Sequence, residues 1–326
     1  MSVSLDRAFG TLLGTAVGDA LGMPVEGLSH QNVRTYYKGI KEYRDDDQRG
    51  DLEAGQWTDD TQMTFAVVRA LAQASGPAEW PRAVAEQYRA LPREGRGRRR
   101  WGSTTTAAIE RLTDGSPPEE AARADRPTDG AAMRAAPLGL WWAATGADRE
   151  EAFGTVRSIL AVTHRHPAAL AAGWGQVVAV RYMLETTVDA FDRSAFWDAL
   201  IDATTTAEAR LEGDDRVSAR LRALTDQLDA FPLDLRDACG NVGVRADEAW
   251  PFACAMVARR PHLLENTLLS GINVGGDADT TGAMMGALLG GLHGWNAFPA
   301  EWREGLEATE ELQGQARALW EALEER

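Results

Sequence analysis

The sequence predicts an all-α fold, a compact single domain of many helices spanning residues 1–326. Three observations carry this expectation. Apolar residues recur at helical spacing nearly everywhere along the chain. Alternating apolar and polar runs bounded by tight-turn dipeptides are missing, so no sheet is expected. Chain breakers cluster at Pro92 to Gly102, Gly115 to Pro118 and Asp125 to Gly130, and none of these stretches is long enough to be an interdomain linker. No repeat with a period of about 20–50 residues emerges, which argues against a solenoid.

In the first element, Ala8, Phe9, Leu12, Leu13, Ala16, Val17, Ala20 and Leu21 draw one apolar helical face. Gly10, Gly14, Gly18 and Gly22 recur on the same turn spacing. Glycine inside a helix costs about 1 kcal/mol relative to alanine, so four in register imply a compensating gain. Close approach of another backbone supplies it. Periodicity then predicts helices over 62–75, 77–91, 104–113, 150–162, 167–188, 193–211, 214–228, 246–258, 261–270 and 302–324. Gly282, Gly286 and Gly290 repeat the glycine device in a helix near the C-terminus. The two smooth helices are expected to pack together at the centre, bringing the ends of the sequence into contact.

A 44% hydrophobic content with 25% charged residues is ordinary for a soluble globular chain. The formal net charge of −15 argues against general nucleic-acid binding. It leaves room for local positive sites that grip an anionic small molecule. Only Lys38 and Lys41 are lysines, and the arginine and alanine bias points to a high-GC bacterial genome. Cys239 and Cys254 lack metal-like spacing and are expected to be free thiols in a reducing cytosol. No basic segment precedes a clean apolar run at the N-terminus, where Asp19 interrupts the candidate stretch, so no signal peptide is expected. The longest apolar run, Ala283 to Leu292, is about half of a bilayer span. The expectation is a cytoplasmic monomer that makes no membrane contact.

Two near-copied clusters carry the chemistry: Thr58-Asp59-Asp60-Thr61 and Asp277-Ala278-Asp279-Thr280. Each lies where a loop meets a helix. Threonine followed by acids is also what an ordinary helix N-terminus prefers, through capping and the helix dipole. Two copies near opposite ends of the chain are harder to explain by capping alone. If the ends meet, four carboxylates converge and require cations to offset their repulsion. Carboxylates and hydroxyls are hard donors suited to Mg²⁺, Mn²⁺ or Ca²⁺ rather than zinc. A two-metal site is the favoured reading.

Other residues offer further chemistry. Glu26 follows the first helix and is a general base, a substrate clamp or a solvated loop acid. His164 and His166 flank Arg165 without a cysteine partner, so a zinc site is disfavoured. Hydrogen bonding to a substrate, or helix N-terminal geometry before Pro167, fits better. Gly102 and Ser103 open a helix whose amides and hydroxyls could hold phosphate. The preceding Arg96, Arg98, Arg99 and Arg100 are expected in a mobile, solvated loop. Asp129, Gly130 and Met133 lie in a turn of small residues that lets a ligand approach. No G-x-S-x-G elbow, P-loop lysine motif or dinucleotide glycine fingerprint is present.

Taken together, these segments resemble the ADP-ribosylglycohydrolase family, which includes relatives of dinitrogenase reductase-activating glycohydrolase and crystallin J1. The resemblance runs from Gly14-Thr15-Ala16-Val17-Gly18-Asp19-Ala20-Leu21-Gly22 with Glu26, through Trp57-Thr58-Asp59-Asp60-Thr61 and Gly130 to Gly139, to Thr163-His164 and Asn273 to Thr280. It implies a compact all-α fold with two Mg²⁺ or Mn²⁺ ions in a central cleft. The implied ligands are Thr58, Asp59, Asp60, Asp277, Asp279 and Thr280, with Asp279 bridging both ions. Glu26, Asp59, Asp60 and Asp279 are the implied catalytic residues. Gly102, Ser103, Asp129, Gly130, Met133 and His164 would border the substrate. The family often has Asn-Gly before its Met-Arg pair, whereas this chain has Asp129-Gly130. The implied activity is removal of ADP-ribose from a modified protein side chain, arginine foremost. Hydrolysis of a small conjugate such as O-acetyl-ADP-ribose, or silent binding by the same fold, are the alternatives.

Overall fold

Helix Leu5–Gly22 begins where the Ser4 hydroxyl accepts the Arg7 backbone N–H, and every residue from Ala8 to Gly22 is buried. The computed structural model, which describes residues 3–325, pairs it with helix Ala278–His293 more extensively than any other two described helices. The cause is the glycine stripe. A methyl group added at Gly10, Gly14, Gly18 or Gly22 would overlap the facing carbonyl of Gly290, Gly286, Gly282 or Ala278, respectively. The two backbones touch along four turns, and the last contact sets Gly22 against the start of the second helix. That contact is what joins the two acidic clusters.

By length and composition the segment Leu5–Val25 could cross a bilayer, but it is wholly covered by neighbouring helices. It serves here as the central core helix. Helix Asp59–Gln73 packs beside it and against Thr309–Glu324. On the other side, helix Pro167–Glu185 packs on Ala278–His293, Ala246–Arg259 and Arg193–Arg210. The described residues form a single helical domain with no strand. Two isolated bridges, Ser29 with Gly275 and Thr128 with Arg245, tie loops around the site.

Helix positions largely match the periodicity, with three informative differences. Helix Ala136–Thr145 was not expected, because Leu138, Leu140, Trp141 and Trp142 are apolar all round and draw no face. The short helix Pro232–Ala238 buries only Leu235 and has almost no pattern to read. The expected helix over 302–324 is broken into Ala300–Gly305 and Thr309–Glu324. At the break Ala308 takes a left-handed φ of 57°. Glu307 there accepts from Trp57 Nε1 at 3.2 Å through its carbonyl and pairs with Arg99 at 2.8 Å through its carboxylate. Side-chain demands from the site region override helix continuity.

Candidate metal centre

Asp59 and Asp60 occupy the first turn of helix Asp59–Gln73, and Asp277 and Asp279 flank the start of helix Ala278–His293. One carboxylate oxygen from each of Asp19, Asp60 and Asp279 lies within 4.8 Å of the others, and all three residues are buried. The two sequence clusters therefore converge, and a third acid joins them from the central helix.

The hydrogen bonds separate the roles of these acids. Thr58 stands at the N-cap position yet makes no side-chain cap bond. Its hydroxyl donates instead to Asp19 Oδ1 at 2.9 Å and lies 3.2 Å from Asp60 Oδ2. Asp19 also accepts the Thr58 N–H at 3.0 Å, the Thr61 N–H at 2.9 Å and the Thr61 hydroxyl at 2.6 Å. Its lone pairs are thus filled by the turn that presents Asp59 and Asp60. Asp60 differs: Thr280 Oγ sits 3.3 Å from its Oδ2, while its Oδ1 is buried without a partner. A buried orphan oxygen is costly. It is also the lone pair a cation would take.

Electrostatics point the same way. Burial pushes the Asp59, Asp60, Asp277 and Asp279 carboxyls well above their usual range. Negative neighbours add to this: Asp19 beside Asp59, Asp19 and Asp279 beside Asp60, Asp129 beside Asp277, and Glu26 beside Asp279. Burial raises Asp19 to about 6, opposed by the Thr61 and Thr58 hydrogen bonds. Burial raises Asp129 to about 8, opposed by its hydrogen bond with Asp277, and Asp129 Oδ2 is a second buried orphan. Convergent oxygen donors with spare lone pairs fit a hard divalent cation.

Above these acids opens a cavity of about 210 Å³. Its walls bring together Glu26, Asp59, Gly102, Ser103, Asp129, Gly130, Met133, His164, Asp277, Asp279 and Thr280; Thr58 and Asp60 are buried and do not line it. Gly102 N–H donates to Asp59 Oδ2 at 3.4 Å, and Ser103 Oγ accepts from Arg126 at 2.6 Å. Glu26 pairs with Arg49 and, at 3.4 Å, with Arg100. Its loop is fastened to the second acidic cluster, since Gly27 N–H donates to Gly276 O at 2.7 Å and Gly276 N–H to Leu28 O at 2.8 Å.

Of Arg96, Arg98, Arg99 and Arg100 only Arg98 is exposed, as a solvated loop would have it. Arg99 is buried, donates to the Trp57 carbonyl at 3.0 Å and pairs with Glu307. Arg100 pairs with Asp46 at 2.5 Å and with Asp51, while Arg96 pairs with Glu311 at 2.8 Å. Acids distant in sequence hold the segment, and helical periodicity cannot reveal such partners. The two histidines part company: His166 Nδ1 accepts the Ala168 N–H at 3.1 Å as a helix cap, and His164 lines the cavity. Asp19, in sequence an interruption of an apolar run, is the buried acceptor of the Thr58 to Thr61 turn. A lone acid inside a buried helix was the signal that it had a partner.

The family profile described as ADP-ribosylglycohydrolase matches residues 1–326. An uncharacterized protein of Archaeoglobus fulgidus is 32% identical over 311 residues, covering 95% of this chain and 94% of that protein. The ADP-ribosyl-[dinitrogen reductase] glycohydrolase of Rhodospirillum rubrum is 27% identical over 326 residues, covering 96% and 95%. A solved structure, an ADP-ribosylglycohydrolase-related protein complex, superimposes with a TM-score of 0.77 at 26% identity over 98% of each chain.

Proposed function

This chain belongs to the ADP-ribosylglycohydrolase family, and from that premise we propose that it hydrolyses the bond joining ADP-ribose to a modified protein side chain, arginine foremost. The cations proposed are two Mg²⁺ or Mn²⁺ ions held by Thr58, Asp59, Asp60, Asp277, Asp279 and Thr280. When bound, they would supply positive charge for ribose oxygens and for water. The observation that carries the reading is the unpartnered Asp60 Oδ1 among converging buried carboxylates, of which Asp279 also lines the cavity.

The chain's own residues do the rest. In hydrolysis a water oxygen bonds to the anomeric carbon as the bond to the leaving group breaks, and the leaving group regains a proton. Glu26, on the cavity wall beside Asp279, is placed to accept the proton lost by water. Gly130, without a side chain, lets the His164 ring pack against the backbone at the cavity wall. Gly102 and Ser103 open helix Ser103–Thr113 at the cavity edge, where free amides favour an anionic group. Asp129 replaces the amide expected from the resemblance with a carboxyl whose Oδ2 is unpartnered.

The test is incubation with Mg²⁺ and arginine-, serine- and acetyl-linked ADP-ribose, reading ADP-ribose release. Arginine-linked substrate should be cleaved fastest. Preferred cleavage of the acetyl ester would move the assignment to small conjugates. No cleavage of any linkage would leave a binding protein of the same fold.

A further inference from the structure

His164 stands on the cavity wall with its ring against Gly130, where an added methyl would overlap Cε1 and Nε2. Behind it lies Arg134, wholly buried. Arg134 Nη1 donates to Gly130 O at 2.7 Å, and Nη2 donates to Leu160 O at 3.2 Å and to the Thr163 hydroxyl. A guanidinium has donors and no acceptor. Thr163 Oγ must therefore receive that N–H, and its single hydrogen is free to point at His164 Nδ1, 2.9 Å away. Both terminal guanidinium nitrogens also lie 3.5 Å from Nδ1. Beside Nδ1 stand the Thr163 hydroxyl and two guanidinium nitrogens that can only donate; a lone pair on Nδ1 suits all three, whereas an Nδ1–H would face two N–H donors, so Nδ1 presents the lone pair. The ring proton then sits on Nε2, which has no protein partner among the described residues and opens to the cavity.

We propose that Arg134 and Thr163 are positioning residues that fix His164 as the neutral Nε2–H tautomer, a standing hydrogen-bond donor aimed at an acceptor oxygen of the bound ligand. The relay has one direction: guanidinium N–H to threonine oxygen, threonine O–H to Nδ1, Nε2–H to ligand. Burial and the Arg134 charge hold the imidazole well below its usual range, consistent with a neutral ring. The other charged or titratable neighbours reach His164 through Arg134, whose guanidinium lies 5.6 Å from the Tyr88 ring centre and feels the negative charge of Asp59. His164 is thereby unsuited to act as a base toward substrate, because the atom facing the cavity is protonated and the lone pair faces inward.

That the acceptor belongs to an ADP-ribose conjugate rests on the function proposed above; the tautomer does not. The test is histidine ¹⁵N NMR on the full chain with Mg²⁺, paired with calorimetric titration of ADP-ribose. In the wild type at pH 7, His164 Nδ1 should resonate as an unprotonated imine nitrogen and Nε2 as a protonated pyrrole nitrogen. Thr163→Val should remove the donor, shift the tautomer signals and weaken ADP-ribose roughly five- to tenfold, the equivalent of one neutral hydrogen bond. Thr163→Ser, which keeps the hydroxyl, should restore both. An Nδ1–H tautomer or an imidazolium in the wild type overturns the proposal, as does a Thr163→Val protein unchanged in spectrum and affinity. The predicted signals in a wild type that fails to bind ADP-ribose would uphold the relay and count against the substrate assignment alone.

Discussion

Asp60 and Asp19 lie within one buried cluster and do opposite jobs. Asp19 spends its lone pairs on Thr58 and Thr61, whereas Asp60 keeps one oxygen free. Replacing Asp19 by Asn would set an NH₂ against N–H donors, and the variant should lose roughly 1–3 kcal/mol of stability. Denaturant unfolding reads this. Asp279→Asn keeps size but removes charge from the floor, so ADP-ribose release should fall about 10²–10³-fold with circular dichroism unchanged. Near-normal turnover would contradict the assignment. Glu26→Gln should lower kcat about 10²-fold while ADP-ribose still binds in the presence of Mg²⁺. Loss of binding as well would make Glu26 a support for the cavity. At this scale the acids of the two clusters were legible from local pattern and hard-donor chemistry. Asp19 and the Arg99 and Arg100 ion pairs were not, because their meaning lies in partners tens to hundreds of residues away.

At the scale of elements, the facing glycines decide where the site can form. Gly14→Ala or Gly286→Ala would drive a methyl into a backbone carbonyl that cannot move aside. Either should cost roughly 1–3 kcal/mol by overpacking. Gly154 is a control: it lies inside helix Arg149–Leu160 with nothing near its would-be methyl. Gly154→Ala should raise stability by roughly 0.5–1 kcal/mol. Opposite signs by urea denaturation would separate close approach from mere helix propensity. The stripe was readable because four helix-breaking residues in register demand a reason. Helix Ala136–Thr145 was not, since a helix apolar on all sides leaves no period to detect.

For the whole molecule, the site is a store of unfavourable charge. Asp19 at about 6 and Asp129 at about 8 bind protons more tightly folded than unfolded, where a carboxyl sits near 3.9. Folding of the metal-free chain therefore takes up protons, so their contribution is greatest at low pH and is lost as pH rises from about 4 to about 8. The metal-free Tm should be higher at pH 5 than at pH 8, and Mn²⁺ at a hundred times its Kd should return about 2.7 kcal/mol per site at pH 8. A metal-free Tm that climbs toward pH 8 would contradict this. Under the proposed function, buried carboxylates joined by the glycine helices become a hydrolase when divalent cations offset their charge. The most direct measurement is ADP-ribose release from an arginine-linked substrate by chelator-stripped protein, before and after Mn²⁺ is restored. Release only after Mn²⁺ is predicted; equal release by the stripped protein, or none in either state, would contradict it.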